Sequence, residues 1–267
     1  MPLQLTPTFR ERLAHSDRTL YGGWVCSGSP VAAEIMAGSG LDWLLIDMEH
    51  APNGLESVLA QLYAVSGYPA TPVVRVPAGE TVIIKQVLDL GAQNILVPMV
   101  SGPEEARVVV EMAHYPPTGR RGVGSALARS ARWNRVEDYL HNDATHTAVF
   151  VQIETIEGVE NAEQIAATPG IAGVFVGPSD LAASMGLIGR QTHPEVVAAV
   201  KRAFTGIAAA GKPIGVNAFD PAAARDYTAA GAEFVLVGAD VALLARGSEQ
   251  LADAFIGGSD TAGRASY

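Results

Sequence analysis

Four short segments of this sequence place polar, chemistry-bearing residues where an apolar run ends. Residues 46–53 read Ile-Asp-Met-Glu-His-Ala-Pro-Asn, and residues 74–77 read Val-Arg-Val-Pro. Residues 152–155 read Gln-Ile-Glu-Thr, and residues 177–180 read Gly-Pro-Ser-Asp. In an extended strand, alternate residues share a face, so Asp47 and Glu49 go together, as do Gln152 and Glu154. Glu154 and Asp180 carry hard oxygens of the kind that Mg²⁺, Mn²⁺ or Co²⁺ accept. His50 changes charge near neutral pH and suits proton transfer. Arg75 offers a fixed cation for an anion that develops during a reaction. Each residue alone also has a plainer reading. Asp47 can cap a turn, His50 can be structural, Arg75 can balance buried carboxylates, and Glu154 and Asp180 can sit in rim salt bridges. Their convergence favours a site.

The elements that would position them repeat along the chain. Short apolar runs at 20–25, 43–48, 73–76, 94–98, 148–154, 173–176, 214–217 and 234–237 read as strands. Amphipathic stretches at 30–39, 55–66, 80–90, 103–114, 159–168, 194–210, 221–230 and 240–256 read as helices, and glycines such as Gly91 and Gly231 stand where left-handed caps would end them. Eight βα units whose strands are apolar throughout predict an α/β fold, a single (β/α)₈ TIM barrel. The 267 residues fit one such barrel of about 250. Active sites of this fold lie at the C-terminal strand ends, where the four segments fall. We expect one domain over 1–256, with an insertion at 115–144 that carries a short helix at 135–141 and acts as a lid or contact. A frayed tail is expected over 257–267.

Composition narrows the function classes. A net charge of −10 disfavours nucleic acid and argues weakly against anionic substrates, although a local arginine or metal overrides a mean field. No signal peptide is read in 1–13, no run is long and apolar enough for a membrane span, and the lone Cys26 excludes an intrachain disulfide. A cytoplasmic protein is the expectation. The three lysines, Lys85, Lys201 and Lys212, fall on two helices and ahead of a strand, at the wrong end for a Schiff base. No organic cofactor is expected either; Gly122-Val123-Gly124 lacks the context of a phosphate loop.

The ordered motifs resemble the HpcH/HpaI aldolase family, the 4-hydroxy-2-oxoheptane-1,6-dioate aldolases and related 2-keto-3-deoxy acid aldolases. Residues 47–53 match its D-x-E-H-A-P-N motif, and Arg75-Val76-Pro77, residues 115–122, Gln152–Thr155 and Gly177–Leu181 match others. The resemblance implies a phosphoenolpyruvate/pyruvate-type barrel and a class II aldolase that cleaves 4-hydroxy-2-oxo acids to pyruvate or hydroxypyruvate and an aldehyde. It implies Glu154 and Asp180 as ligands of a divalent metal, Arg75 against the enolate oxygen, and Glu49 as an outer partner of waters around the ion. His50 would take the C4 hydroxyl proton, with Asp47 fixing its tautomer and raising its basicity. The amides of Ser179 and Asp180, in the turn Gly177-Pro178, would receive the substrate carboxylate, and Gln152 would orient water or substrate. Trp24 would wall the aldehyde pocket or belong to the core. Asp89 is implied to reach a neighbouring subunit's pocket, in a hexamer of three dimers that exchange their C-terminal helices. The rival readings are a CoA-ester lyase of the malyl or citryl type or another pyruvate- or phosphoenolpyruvate-handling barrel enzyme and, outside catalysis, a metabolite-binding barrel.

Overall fold

The computed structural model describes residues 3–256; the expected frayed tail lies outside the described residues. In chain order the elements are α1 (Phe9–Ala14), β1 (Leu20–Val25), α2 (Pro30–Ala37), β2 (Trp43–Asp47), α3 (Leu55–Val65), β3 (Thr71–Arg75), α4 (Thr81–Asp89), β4 (Asn94–Val97), α5 (Pro103–Ala113) and α6 (Asp143–His146). They continue with β5 (Ala148–Ile153), α7 (Ile156–Glu160), α8 (Ala162–Ala167), β6 (Ile171–Val176), α9 (Pro178–Ser184), α10 (Pro194–Ala209), β7 (Ile214–Asn217), α11 (Pro221–Ala229), β8 (Phe234–Ala239) and α12 (Asp240–Phe255). The eight strands pair in parallel, each with the next and β8 with β1, and close the barrel. Gly91 and Gly231 take φ of 94° and 105°, the left-handed region that their place after α4 and α11 requires.

Two cores follow from strand alternation. Outward residues such as Leu44, Ile46, Val74, Ile95 and Val151 meet the helices. Inward residues such as Trp43, Leu45, Val73, Leu96, Phe150, Phe175 and Phe234 fill the barrel. Gly215 makes this filling possible, because a Cβ there would lie 2.2 Å from the Phe234 ring. α1, a helix too short to show a period in the sequence, closes the N-terminal end of the barrel. Phe9 stands 5.0 Å from the Trp43 ring and 5.5 Å from Phe150, and its amide donates to Asn94 Oδ1 at 2.7 Å. With apolar layers below, the polar residues one step further along β2, β3 and β5 emerge at the C-terminal mouth.

The boundaries differ from expectation in physical ways. β3 and β6 each start two residues earlier than the apolar runs suggested, and β8 continues to Ala239. The helix expected at 159–168 is two pieces that break at Asn161, whose side chain donates to Ser101 O at 2.8 Å. Residues 135–141 are not a helix but turns, with Asp138 at φ 51°; the helix of the insertion is α6. A seven-residue helix is too costly to nucleate without a packed face. Here Val136 and Tyr139 fold instead into a small core with Tyr115 and Ala131. Among the described residues, no helix is long and apolar enough to cross a membrane.

Candidate active site

The register of β2 and β3 sets Asp47 opposite Arg75. Arg75 donates from Nε and Nη2 to the two carboxylate oxygens of Asp47, both at 2.8 Å. Its Nη1 lies 2.7 Å from Glu49 Oε2, a close ion pair without hydrogen-bond alignment, since that oxygen has no hydrogen-bond partner. The Trp24 ring covers the guanidinium at 4.4 Å and is itself tied through Nε1 to Asn217 Oδ1 at 2.8 Å. Arg75 is thus buried and fixed on three sides, as a charge meant for a transition state must be.

The 47–53 motif is a stapled turn. The Asp47 carboxylate accepts from the amides of Glu49 (3.0 Å) and His50 (3.3 Å). Its carbonyl accepts from Asn53 Nδ2 at 2.6 Å, and Asn53 Oδ1 accepts from the buried Gln61 at 2.6 Å. This corrects one expectation. Asp47 does not fix the His50 tautomer, because Arg75 and the turn amides engage both of its oxygens. The imidazole stands at the rim, 64% exposed, with Nε2 3.8 Å from Glu49 Oε1.

Glu154 follows β5 and is buried. Its Oε1 accepts from the Met99 amide at 2.6 Å and its Oε2 from Gln152 Nε2. Met99 holds a φ of 61°, rare for a side chain of its size, and that conformation turns its amide to the carboxylate. Burial raises the Glu154 carboxyl above the ordinary range, and the neighbouring Asp180 charge adds to the rise, against the bonds from Gln152 and Met99. Burial likewise raises Glu49, with Glu154 contributing and Arg75 opposing. Asp47 and Glu49 take up the buried guanidinium, and among the described residues no cation pairs with Glu154 or Asp180. Such a deficit of positive charge fits a divalent cation. The donor chemistry of Glu154 and Asp180 fits a hard one. Among the described residues no group of three or more His, Cys, Asp or Glu gathers as ligands. Two protein donors leave room for water and substrate.

A cavity of about 700 Å³ joins these residues at the C-terminal mouth. Trp24, Asp47, His50, Arg75, Gln152, Gly177, Pro178, Ser179 and Asp180 line it, with Glu49 and Glu154 bonded behind them. Ser179 and Asp180 open α9, where amides lack helical partners. Asp89 is not brought to this cavity; it ends α4 and pairs with the buried Arg121 at 2.7 Å. Residues 115–144 contribute nothing to the lining of this cavity. Sequence reasoning missed Cys26, Phe175, Asn217, Phe219, Ala239, Val241, Ala242 and Arg246, which complete the lining. Asn217 was within reach, as the last residue of an expected strand. The α12 residues were not, because nothing in a helical pattern says which turn overhangs a barrel mouth. The lysines lie away from the site: Lys85 on α4, Lys201 on α10, and Lys212 at the opposite end, donating to Ile171 O at 2.8 Å beside a separate cavity of about 800 Å³.

Comparison with known proteins agrees with this architecture. The family model described as HpcH/HpaI aldolase/citrate lyase matches residues 20–247. The chain is 51% identical over 257 residues to a hydroxypyruvate/pyruvate aldolase of Deinococcus radiodurans, covering 95% of this chain and 92% of that protein. It is 51% identical over 238 residues to a 4-hydroxy-2-oxo-heptane-1,7-dioate aldolase of Salmonella dublin, covering 89% of this chain and 90% of that one. That relative's diacid is the 1,7-dioate, as carboxylates ending a seven-carbon chain must be, and not a 1,6-dioate. A solved HpcH/HpaI aldolase/citrate lyase family protein from Burkholderia cenocepacia superposes with a TM-score of 0.89 at 42% identity, over 93% of this chain and 99% of the other. The chain belongs to the HpcH/HpaI aldolase/citrate lyase family.

Proposed function

We propose that the protein is a class II aldolase, a carbon–carbon lyase that reversibly cleaves 4-hydroxy-2-oxo acids to pyruvate or hydroxypyruvate and an aldehyde. One observation carries the reading. A guanidinium fixed by Asp47, Glu49 and Trp24 lines a cavity together with Asp180, and the buried Glu154, whose ionisation is opposed by burial and by Asp180, stands directly behind that lining. The guanidinium suits an enolate oxygen and the two carboxylates a divalent cation. Both relatives above are named aldolases.

Glu154 and Asp180 would hold Mg²⁺, Mn²⁺ or Co²⁺, which when bound supplies Lewis acidity to the keto group as enolate charge develops. Arg75 faces that same charge without having to reorganise. The first-turn amides at Ser179 and Asp180 receive the substrate carboxylate, and Gln152 positions the donor. In cleavage, the C4 hydroxyl proton passes to His50, the C3–C4 bond breaks, and its electron pair enters the enolate. A proton then adds at C3 to give the 2-oxo acid. Glu49 Oε1 stands 3.8 Å from the imidazole Nε2. The exposed apolar residues Leu243, Leu244, Leu251 and Phe255 of α12, with Val31 and Ile35 of α2, support burial against further copies. We assign them to the hexamer of three dimers, in which Asp89 approaches a neighbour's pocket.

Deuterium exchange of the pyruvate methyl group, followed by NMR in D₂O, tests the reading without knowledge of the aldehyde. Exchange is expected with one of the three ions and is abolished by a chelator. Failure with all three ions refutes the proposal. Thioester cleavage in place of pyruvate release would transfer the assignment to the CoA-ester lyases.

A further inference from the structure

The polar groups of the motifs serve the donor, and the rest of the cavity lining is mainly apolar, with Phe175, Phe219, Ala239, Val241 and Ala242. Asn217 interrupts that apolar wall. It is the last residue of β7, half-buried, and it lines the same cavity. Its Oδ1 accepts from Trp24 Nε1 at 2.8 Å. An indole N–H donates and never accepts, so this bond fixes which end of the amide is which. The oxygen is taken by Trp24, and the NH₂ group is left over. No acceptor among the described residues takes that NH₂. Trp24 in turn lies over the Arg75 guanidinium at 4.4 Å, so a single indole separates Asn217 from the charge that meets the enolate.

Resting on the aldolase reading, we propose that Asn217 is a specificity determinant whose Nδ2 group donates to a neutral oxygen, ether or hydroxyl, that the acceptor aldehyde carries close to its carbonyl. An oxygen at this place gives the NH₂ group its missing acceptor. A methylene at the same place strips water from the amide and returns nothing. The surrounding apolar wall discriminates weakly between acceptors, because one methylene more or less costs little there, whereas a polar group left unpaired costs more. Trp24 already holds the amide plane, so little freedom is lost when the bond forms. With one indole between Asn217 and Arg75, the oxygen that is read lies near the reacting carbon and not at the far end of the acceptor.

The test compares methoxyacetaldehyde with butanal, which has a methylene in place of the ether oxygen, each with pyruvate and the metal-loaded enzyme. An ether oxygen only accepts, so it reports on a donor. Methoxyacetaldehyde is the more electrophilic aldehyde, but that intrinsic advantage cancels when the ratio of kcat/KM for the two is compared between proteins. In Asn217→Leu the ratio of ether over alkane falls about three- to tenfold, the worth of one neutral hydrogen bond. Asn217→Asp, assayed at pH 8, keeps an oxygen for Trp24 and replaces only the NH₂ group. Its ratio falls at least as far, because a second acceptor now faces the ether oxygen. A role limited to bracing Trp24 gives a different pattern: Asn217→Leu slows both aldehydes equally, and Asn217→Asp slows neither. That pattern, or a ratio in Asn217→Asp within about 1.5-fold of the wild type, overturns the proposal. The two variants report independently, so either one decides the matter if the other does not fold. Pyruvate methyl exchange by the unaltered protein separates the two readings. Its absence sinks the aldolase assignment, whereas exchange with an invariant ratio sinks the role of Asn217 alone.

Discussion

Replacing Glu154 by Gln separates the cost of the buried carboxylate from its use. Glu154 is 6% exposed and its ionisation is opposed by burial and by Asp180. The amide is isosteric and can keep the Met99 bond through its oxygen. Its NH₂ group then faces Gln152, whose Oε1 has no partner, so a flip of the Gln152 amide restores the second bond. The metal-free variant should therefore be more stable than the wild type at neutral pH, by about 0.5–2 kcal/mol, the usual gain from relieving a functional site. The sign with pH follows from linkage. The folded carboxyl has a raised pKa, so below the ordinary value of 4.5 both states are protonated and Glu154 costs nothing. As pH rises past that value the unfolded state ionises first, and the wild type loses stability until the folded carboxyl has ionised too. The difference between variant and wild type should thus open from about pH 4.5 upward. Metal should act in the opposite sense. At about a hundred times its Kd, an ion stabilises the wild type by about 2.7 kcal/mol, several degrees in Tm, and does little for the variant. Thermal melts of chelator-treated and Mn²⁺-loaded protein across this pH range give both numbers. A variant with a wild-type metal shift, or a metal-free variant that is less stable by a pH-independent amount, refutes the reasoning.

Two further substitutions probe the neighbouring groups. Asp47→Asn leaves the buried Arg75 with Glu49 as its only carboxylate and should cost about 3–5 kcal/mol in urea denaturation; a loss under about 1 kcal/mol would mean that the pair does not fix the guanidinium. His50→Ala, at an exposed rim position, should change stability by no more than about 0.5 kcal/mol. Its aldol turnover should fall about 10²–10⁴-fold while pyruvate methyl exchange falls far less, and near-wild-type turnover removes His50 from the mechanism.

The barrel was legible because strands buried on both faces leave continuous apolar runs, and because a polar residue that breaks such a run must sit at its end. That rule alone located Asp47, Arg75, Gln152, Glu154 and Asp180 on one rim. It failed wherever the determining contact is remote in sequence. The proximity of Asp47 and His50 along the chain suggested a dyad, yet the parallel register of β2 and β3 is what chooses the partner, and it delivers Arg75. The left-handed Met99 that turns an amide to Glu154 leaves no mark in residue type. Phe9 reads as a stray aromatic until the ring cluster at the base of the barrel gives it a place. Arg246 belongs to a helix, so a search of strand ends passes over it, although the cavity it borders is built from those ends. These omissions share a cause. Strand ends carry the half of the site that every 2-oxo acid needs, since the donor's carboxylate and keto group are small and must meet the barrel mouth itself. Past the rim the wall of the cavity comes from α12, whose Val241, Ala242 and Arg246 overhang the mouth. The strand-end half of the site is therefore written in motifs, and the overhanging half of its wall in tertiary packing.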